Sequence, residues 1–340
     1  MPETIVATPS GAPAGGRGRA VRVPVPARFD FEWAVGFLSA REVRSIEQLS
    51  ATGYARSVRV GGAPVALSIR FDAGSRGAAA LVVHASPSQP RGVLARLVTR
   101  MFDLDAEVDA FVALAARDPV LATLVARQPY IRLPQLVDPF EGLIRAILGQ
   151  QVSVAAASTM ADRLARLVGE RAPALDGMHL LCFPSPESLA ALGEGDLLGI
   201  GLTRAKAASI AAAARAVTGG LDLSALRGGA PDEVDALLTA VRGIGPWTAA
   251  YLRMRALGDR DAFPASDLGI VKAMRDLART VRPAEIARLA ERWRPWRAYA
   301  ALHLWQSLSG AGARDRQEVA VPAGAAGRGT GRNRQGGQRT

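Results

Sequence analysis

Hydrophobic and polar positions follow two different patterns along the chain, and the pattern changes near residue 104. Between about residues 21 and 104, strand-like segments stand beside segments of helical spacing. The strand-like segments are VRVPVPARF, RSVRVGGAPVALSIRF and GAAALVVHASP, of which the second reads as two strands around Gly61–Gly62. The helical segments are FEWAVGFLSAR and RGVLARLVTRMF. This mixture predicts a small α+β domain with an antiparallel sheet over residues 21–104.

Strand signals nearly vanish between residues 105 and 309, where helical patterns follow one another. Proline at a first helical turn marks several starts, as at Pro139, Pro186 and Pro283. The segment is therefore predicted to be an all-α body, which makes the chain predominantly helical. The predicted helices are 105–116, 118–126, 139–149, 153–168, 186–192, 194–198, 203–217, 231–240, 246–257, 267–278, 283–292 and 295–308.

The two ends of the chain have a different composition. Residues 1–20 and 310–340 are rich in Gly, Ala, Pro and Arg without periodicity, which predicts two disordered tails, the second of them basic. The net charge is +11, and residues 1–22 and 310–340 supply +6 of it through nine arginines against three acidic residues. The remaining +5 fits a polyanionic partner, although charge alone is weak evidence.

Cysteine content and hydropathy exclude several classes of protein. The single cysteine, Cys182, cannot build a disulfide framework, a cysteine zinc site or a four-cysteine iron–sulfur cluster, and we expect a buried, inert thiol. Apolar runs stay well short of the roughly 20 residues that span a bilayer. The first 20 residues lack a signal-peptide pattern. We therefore expect a cytoplasmic protein with no membrane partner. We also expect a monomer.

The segment LLTAVRGIGPWTAAYLRMR, residues 237–255, ends one helix and starts another around Gly243-Ile244-Gly245. Glycines permit a tight turn and close backbone approach, and Pro246 suits the first position of the new helix. The free N–H groups at that helix start favour an anion such as a phosphate. Gly-x-Gly triplets are common in unliganded turns, but the basic, all-helical context favours a contact with the backbone of a nucleic acid. The similar segment LLGIGLTRAKAASI is a weaker candidate with Thr203 as an N-cap.

Four segments together resemble the DNA-3-methyladenine glycosylase II family of the helix-hairpin-helix DNA glycosylase superfamily. They are FEGLIRAILGQQVSVAAA, LGIGLTRAKA, LLTAVRGIGPWTAAYLRMRALGDRDAFPASDLGI and ERWRPWRAYAALHLW, and they span about residues 135–309. The resemblance implies two helical lobes over 105–309 that flank an active-site cleft. It also implies base-excision repair of damaged double-stranded DNA: an alkylated purine such as 3-methyladenine or 7-methylguanine is flipped out and its N-glycosidic bond hydrolysed, leaving an abasic site.

Asp267, at the start of the predicted helix 267–278, matches the family's catalytic aspartate. The same residue suits an N-cap, and the two roles are compatible because the helix dipole favours an ionised carboxylate there. Such a carboxylate can stabilise an oxocarbenium-like sugar and orient water. In bifunctional relatives a lysine that forms a Schiff base follows the hairpin, and here that position is Trp247. We therefore expect a monofunctional hydrolase without lyase activity.

Aromatic residues near the hairpin are candidates for a base pocket. Trp247 and Tyr251 share a helix face at i,i+4 spacing, and Trp305 comes from the last helix. Their rings would bind a cationic purine by cation–π attraction of about 0.5–2 kcal/mol per contact. A role in the hydrophobic core is the alternative, and it is the role we expect for Trp293 and Trp296.

The loop GQQVS is a candidate for the wedge that fills the gap left by a flipped base. Gln150 and Gln151 are its polar residues, and the family often has an apolar residue at the position of Gln151. Glutamine is a departure from that pattern, and a polar turn capped by Ser153 is nearly as well supported.

The resemblance also assigns roles to the hairpin backbone. It implies that the hairpin contacts the DNA backbone and holds a monovalent metal ion through carbonyl oxygens, with no other cofactor required. The DNA-contacting residues would be Gly243, Ile244, Gly245 and Thr248, and the carbonyls would be those of Thr239, Val241 and Ile244.

Three other functions stay open. The first is a glycosylase that acts on oxidised, deaminated or mismatched bases, which comparison of the released bases would distinguish. The second is a non-catalytic helix-hairpin-helix DNA-binding protein, for which Asp267 would be dispensable. The third, a purely structural helical repeat protein, would lack salt-dependent affinity for DNA.

Overall fold

The computed structural model describes residues 20–50, 53–74 and 77–318, with side chains as far as residue 308. The tails predicted over 1–20 and 310–340 lie largely outside the described residues, and the last helix runs to Glu318. In the described part of the chain, no helix is long and apolar enough to cross a membrane.

The N-terminal segment forms a five-stranded sheet in the order β1-β5-β4-β3-β2, in which every neighbouring pair is antiparallel. The predicted turn between β3 and β4 is confirmed, since Gly61 and Gly62 both adopt positive φ, 57° and 84°. The prediction missed β2, which has only four residues. The strands are β1 Val21–Pro24, β2 Glu47–Ser50, β3 Gly53–Val60, β4 Ala63–Asp72 and β5 Ala80–Ser86.

Fourteen α-helices account for most of the rest of the described chain. The predicted helical body is confirmed, and most differences from the predicted bounds are confined to helix ends. One exception is the predicted helix 246–257, which changes to π-helix over Arg253–Leu257. The helices are α1 Phe31–Ser39, α2 Arg91–Met101, α3 Val108–Ala115, α4 Ala122–Arg127, α5 Pro139–Gly149, α6 Val154–Val168, α7 Pro186–Ala190, α8 Glu194–Gly199, α9 Arg204–Thr218, α10 Pro231–Thr239, α11 Pro246–Leu252, α12 Leu268–Ala278, α13 Pro283–Ala290 and α14 Arg297–Glu318.

Side-chain caps explain why these helices start where the sequence predicted. Asp138 accepts hydrogen bonds from the first turn of α5, and Ser153 accepts one from the first turn of α6. Ser185 and Thr203 do the same for α7 and α9. Each cap satisfies an N–H group that has no partner within its helix, and so it determines the residue at which the helix begins.

The buried apolar side chains form two main cores. The first core joins the sheet and α1–α4 to α12–α14, and it includes Leu81, Phe111 and Trp293. The second core lies mainly among α5–α11, and it includes Leu143 and Ile210. The first core therefore contains residues on both sides of the domain boundary predicted between residues 104 and 105, and that boundary stays a prediction.

A buried ion network fixes α5 against the sheet. Arg56 on β3 contacts Glu141 on α5 at 2.6 Å, and both side chains are at most 3% exposed. Arg145, one turn further along α5, contacts Glu141 at 3.0 Å and Glu47 on β2 at 2.7 Å. Tyr54 donates its hydroxyl to Glu47 at 2.7 Å. Each buried charge has an opposite charge beside it, and the network therefore depends on every member.

We expect Glu141→Gln to lower the free energy of unfolding by about 3–5 kcal/mol, because Arg56 keeps a buried charge without its carboxylate. Urea denaturation measures the change. The control is Arg166→Ala, which removes an ion pair with Asp162 whose arginine is 62% exposed. That variant should lose less than about 1 kcal/mol. Equal losses in the two variants would contradict the role of the buried network.

Candidate active site

Asp267 occupies the N-cap of α12, and its carboxylate accepts hydrogen bonds from three parts of the chain. Oδ1 accepts the N–H groups of Gly269 at 2.9 Å and Ile270 at 3.1 Å. The indole N–H of Trp305 donates to Oδ1 at 2.8 Å, and that of Trp247 donates to Oδ2 at 3.0 Å. The structure therefore brings the predicted acid and two predicted pocket residues into direct contact, and four donors orient the carboxylate.

Gly269 lets α14 come this close to the start of α12. A Cβ atom at this position would lie 3.0 Å from Cδ1 of Trp305 and 3.1 Å from Oδ1 of Asp267. Any larger residue would push the indole away from the carboxylate. The glycine is part of the site although it carries no reactive group, and the sequence analysis did not identify it.

The aromatic side chains form one wall of a cleft of about 790 Å³. Trp247 and Tyr251 stack with ring centroids 5.3 Å apart and an interplanar angle of 25°. Trp305 lies 6.2 Å from Tyr251 at an angle of 47°. All three residues are partly buried and line the cleft together with Asp267. The carboxylate of Asp267 therefore lies directly beside an aromatic surface, as the base-pocket hypothesis requires.

Three arginines that the sequence analysis did not identify also line the cleft: Arg41, Arg145 and Arg255. The guanidinium groups of Arg41 and Arg255 lie over the ring of Phe37, at 3.8 Å and 4.8 Å from its centroid. Arg255 lies in the π-helical segment, and Arg41 follows α1. No sequence motif links these positions, and only the folded chain brings them together.

Arg145 differs from the other two arginines in its partners. Its charge is offset by Glu47 and Glu141. By contrast, Arg41 donates to the carbonyl of Phe37 at 3.1 Å, and Arg255 donates to the carbonyl of Pro134 at 2.8 Å. Burial, together with the charge of Arg255, lowers the pKa of Arg41 to about 10. Burial also lowers the pKa of Arg255.

The hairpin between α10 and α11 has the geometry that its glycines predict. Gly243 adopts φ 85°, and a Cβ atom there would overlap the side chain of Ser209 on α9. Gly245 is the N-cap of α11, and a Cβ atom there would meet nothing within 4 Å. Gly243 thus serves the packing of the hairpin, whereas Gly245 faces open space where a ligand backbone can approach.

Three of the residues predicted to meet DNA near the hairpin have side chains that are buried or hydrogen-bonded within the protein. The amide of Gln150 donates to the carbonyl of Gly243 and to Oγ1 of Thr248, both at 3.0 Å. Gln150 therefore ties its loop to the hairpin, and its role as a wedge stays a prediction. Thr248 is 2% exposed and Ile244 is 4% exposed, so that only their backbone atoms can meet DNA.

Gln151 lies at the tip of the loop, exposed and with φ 58°, and it stays the candidate wedge. Three exposed apolar side chains that the sequence analysis missed also line the cleft: Val152 is 41% exposed, Val154 is 47% exposed and Leu268 is 77% exposed. Large apolar side chains at the edge of a cleft are typical of an interaction surface. Leu268 follows the candidate catalytic residue directly, so its position is fixed by the same helix start.

The backbone carbonyls proposed for a metal ion follow the C-terminal end of α10, where the helix dipole is negative. The carbonyl of Val241 already accepts the N–H of Ile244 at 3.1 Å, which leaves it one further lone pair. Neutral oxygens in this position suit a monovalent cation that Thr239, Val241 and Ile244 would share. Among the described residues, no group of three or more His, Cys, Asp or Glu side chains could hold a metal.

The remaining candidate residues are in the cores. Trp293 is fully buried, and Trp296 packs edge-on against Tyr299 with ring centroids 5.3 Å apart, as expected for core residues. Cys182 is 1% exposed, and burial raises the pKa of its thiol. These findings confirm the core assignments made for all three residues.

The fold and the cleft are those of a helix-hairpin-helix DNA glycosylase. The AlkA N-terminal domain family matches residues 20–138, and the HhH-GPD superfamily base excision DNA repair protein family matches residues 144–298. The chain is 36% identical over 288 residues to DNA-3-methyladenine glycosylase 2 of Escherichia coli, covering 82% of this chain and 93% of that protein. The chain therefore belongs to the HhH-GPD superfamily and, within it, to the family of DNA-3-methyladenine glycosylase 2.

Two further similarities extend this comparison. The chain is 37% identical over 295 residues to the probable bifunctional transcriptional activator/DNA repair enzyme AlkA of Mycobacterium tuberculosis, covering 85% of this chain. It spans only 57% of the length of that relative. The solved structure of a 3-methyladenine DNA-glycosylase from Archaeoglobus fulgidus superposes with a TM-score of 0.74 at 23% identity, covering 84% of this chain and 97% of that one. The last similarity supports the fold alone.

We expect Gly243→Ala to destabilise the protein by about 2–4 kcal/mol, because it combines a positive φ with an overlap against Ser209. Gly245→Ala should change the free energy of unfolding by less than about 0.5 kcal/mol, since the added methyl group meets no atom. Urea denaturation of the two variants measures both values. A stable Gly243→Ala protein would show that the hairpin does not need this glycine.

Proposed function

We propose that the protein is a monofunctional DNA glycosylase of base-excision repair that removes alkylated purines from double-stranded DNA and leaves an abasic site. The observation that carries this proposal is the Asp267 carboxylate, held by two indole N–H groups at the end of an aromatic wall in an open cleft. The choice of substrate class is supported by the family, since the Escherichia coli relative is named for 3-methyladenine.

The aromatic wall supports binding of a flipped base. A purine that has left the duplex loses its stacking on neighbouring bases, and rings in the cleft replace that stacking. An alkylated purine such as 7-methylguanine carries a positive charge, which an aromatic face attracts by about 0.5–2 kcal/mol per contact. Trp247, Tyr251 and Trp305 would supply these contacts while two of the three also hold the carboxylate.

The position of Asp267 supports a dissociative hydrolysis. As the C1′–N bond breaks, its electron pair stays with the base and the sugar becomes an oxocarbenium-like cation. The carboxylate stabilises this positive charge, and a water molecule attacks C1′ and gives up a proton. A cationic base leaves as a neutral molecule, so that no second acid is required to assist it.

The lysines support hydrolysis over strand cleavage. A lyase forms a Schiff base through an amine next to the sugar. The chain has two lysines, Lys206 and Lys272, and neither lines the cleft. Lys206 donates its amine to the carbonyl of Leu148 at 2.5 Å. Water is therefore the nucleophile in this proposal.

The hairpin and the rim would hold the DNA around the cleft. The N–H groups at the start of α11, next to Gly245, would bind a backbone phosphate. A monovalent ion bound to the carbonyl oxygens of Thr239, Val241 and Ile244 would stabilise the hairpin. Gln151 would enter the duplex beside the flipped nucleotide. Leu268 would cover the apolar faces of the neighbouring bases.

We expect Asp267→Asn to lower the rate of base release by at least about 100-fold and to leave duplex binding unchanged, because asparagine keeps the N-cap but loses the charge. Chromatography of the bases released from alkylated duplex DNA measures the rate. The control is Asp276→Asn, the same change at an exposed position of α12.

The same assay distinguishes the other functions. Preferential release of oxidised or mismatched bases would show that such bases, and not alkylated purines, are the main substrates. Full activity of Asp267→Asn would reject the catalytic role. Duplex binding without release of any base would show that the protein is a non-catalytic DNA-binding module.

We expect Gly245→Ala to weaken binding of duplex DNA about five- to tenfold, because a methyl group would stand where the phosphate backbone approaches. Fluorescence anisotropy at a fixed salt concentration measures the affinity. Gly36→Ala, at an exposed position of α1 with nothing within 4 Å, is the matched control and should bind like the wild type. Unchanged affinity in both variants would remove the hairpin from the DNA interface.

A further inference from the structure

The loop between α5 and α6 presents one side-chain amide to the cleft that the protein itself does not use. Gln151 is exposed and lines the cleft together with Asp267 and Trp305. Among the described residues its amide has no hydrogen-bond partner, whereas the amide of Gln150 donates two hydrogen bonds to the hairpin and the start of α11. An amide contains both a donor and an acceptor, and those of Gln151 are available to a ligand.

Contacts along its length hold this loop in place. Before the loop, Lys206 on α9 donates its amine to the carbonyl of Leu148 at 2.5 Å, and the lysine is only 9% exposed. After the loop, the hydroxyl of Ser153 accepts an N–H group from the first turn of α6 at 3.2 Å. Gln150 ties the middle of the loop to the hairpin. Three elements therefore fix the loop from which Gln151 projects.

The backbone of Gln151 is held in an uncommon conformation. Its φ of 58° lies in the left-handed region, which a residue with a side chain rarely adopts. Such a conformation persists only where the surrounding contacts impose it. The amide is therefore presented from a fixed backbone, and a ligand that binds it does not have to order the loop first.

An amide that enters a base stack needs a hydrogen-bond partner. A side chain that fills the gap left by a flipped base leaves water and lies between neighbouring base pairs. An apolar side chain gains from this transfer, but an amide loses its hydrogen bonds to water, and burying it unpaired is unfavourable. The gap contains a second group in the same state, because the base opposite the flipped nucleotide has lost its pairing partner.

The hydrogen-bonding groups of the amide and of that base are complementary. Thymine and cytosine each present a donor and an acceptor side by side on the edge that pairs with a purine. The glutamine amide presents the same two groups, and a half-turn about its last side-chain bond exchanges their positions. One glutamine therefore suits the pyrimidine opposite either a damaged adenine or a damaged guanine.

We propose that Gln151 is a specificity-determining residue whose side-chain amide hydrogen-bonds the unpaired base opposite the flipped nucleotide. The inference rests on the proposed function for the entry of Gln151 into a duplex with a flipped nucleotide. It adds recognition of the undamaged strand to that function. The protein therefore binds more tightly when the opposite base can form hydrogen bonds than when it is apolar and has the same shape.

The test measures binding to DNA in which the nucleotide at the flipped position carries no base. The duplex contains one tetrahydrofuran residue, a stable abasic analogue, opposite either thymine or difluorotoluene, an apolar molecule of the same shape as thymine. Fluorescence anisotropy at a fixed salt concentration gives the two dissociation constants and their ratio. We expect this ratio to favour thymine about five- to 20-fold more in the wild type than in Gln151→Met, which keeps the length but removes the amide.

Gln48→Met is the matched control, since it makes the same change at an exposed position of β2 that does not line the cleft. Its ratio should equal that of the wild type. Thymine and difluorotoluene stack differently on their neighbours, but this difference is the same for every variant, and comparison of the ratios removes it.

The outcomes separate this inference from the proposed function. Equal ratios in the wild type and Gln151→Met overturn the inference, as does a ratio that Gln48→Met lowers to the same extent. Release of 7-methylguanine from methylated duplex DNA together with equal ratios would keep the glycosylase proposal and reject this contact. A ratio that falls only in Gln151→Met, in a protein that releases no base, would support the contact and overturn the glycosylase proposal.

Discussion

The carboxylate of Asp267 is the point on which the geometry of the site depends. It accepts indole N–H groups from Trp247 on α11 and Trp305 on α14, and backbone N–H groups from the start of α12. Most of α11 packs in the second core, whereas α12 and α14 pack in the first. One acidic side chain therefore links the two halves of the cleft, and each half positions the other.

Close approach of the helices makes this link possible, and small residues permit it. Gly142 on α5 leaves room for α11 and its π-helical extension, since a Cβ atom there would lie 2.6 Å from Cβ of Ala256. Gly269 does the same between α12 and Trp305. The buried ion network then holds α5 against the sheet, so that Arg41 and Arg145 are brought to the cleft from two different elements. Packing of the N-terminal segment therefore determines directly where these arginines lie in the candidate active site.

Local signals made much of this architecture predictable from sequence. Capping residues and prolines marked the helix starts, and Asp267, Trp247 and Tyr251 lie close enough in sequence for a motif to identify them. The strand β2 was missed because its sequence, EQLS, has a single apolar residue and its buried position is the charged Glu47. Arg41 could not be assigned, since it lies far from the hairpin in sequence and only the packing of α1 brings it to the cleft.

The same limit applies to the loop between α5 and α6. Two adjacent glutamines are equivalent in a sequence pattern, but Gln150 folds back onto the hairpin and Gln151 points outward. The difference arises from the carbonyl of Gly243 and the hydroxyl of Thr248, which are acceptors that belong to a distant segment. Tertiary hydrogen bonds decide the roles of such neighbours.

In the proposed reaction, the aromatic rings and the carboxylate of the cleft act at different stages. The rings attract a cationic purine in the ground state, and this attraction falls as the base becomes neutral. Catalysis depends only on interactions that are stronger in the transition state than before it. The carboxylate of Asp267 meets this requirement, because the positive charge on the sugar develops only as the bond breaks. Binding of the flipped base and acceleration of its release are therefore assigned to different side chains, which the indole N–H groups of Trp247 and Trp305 join directly.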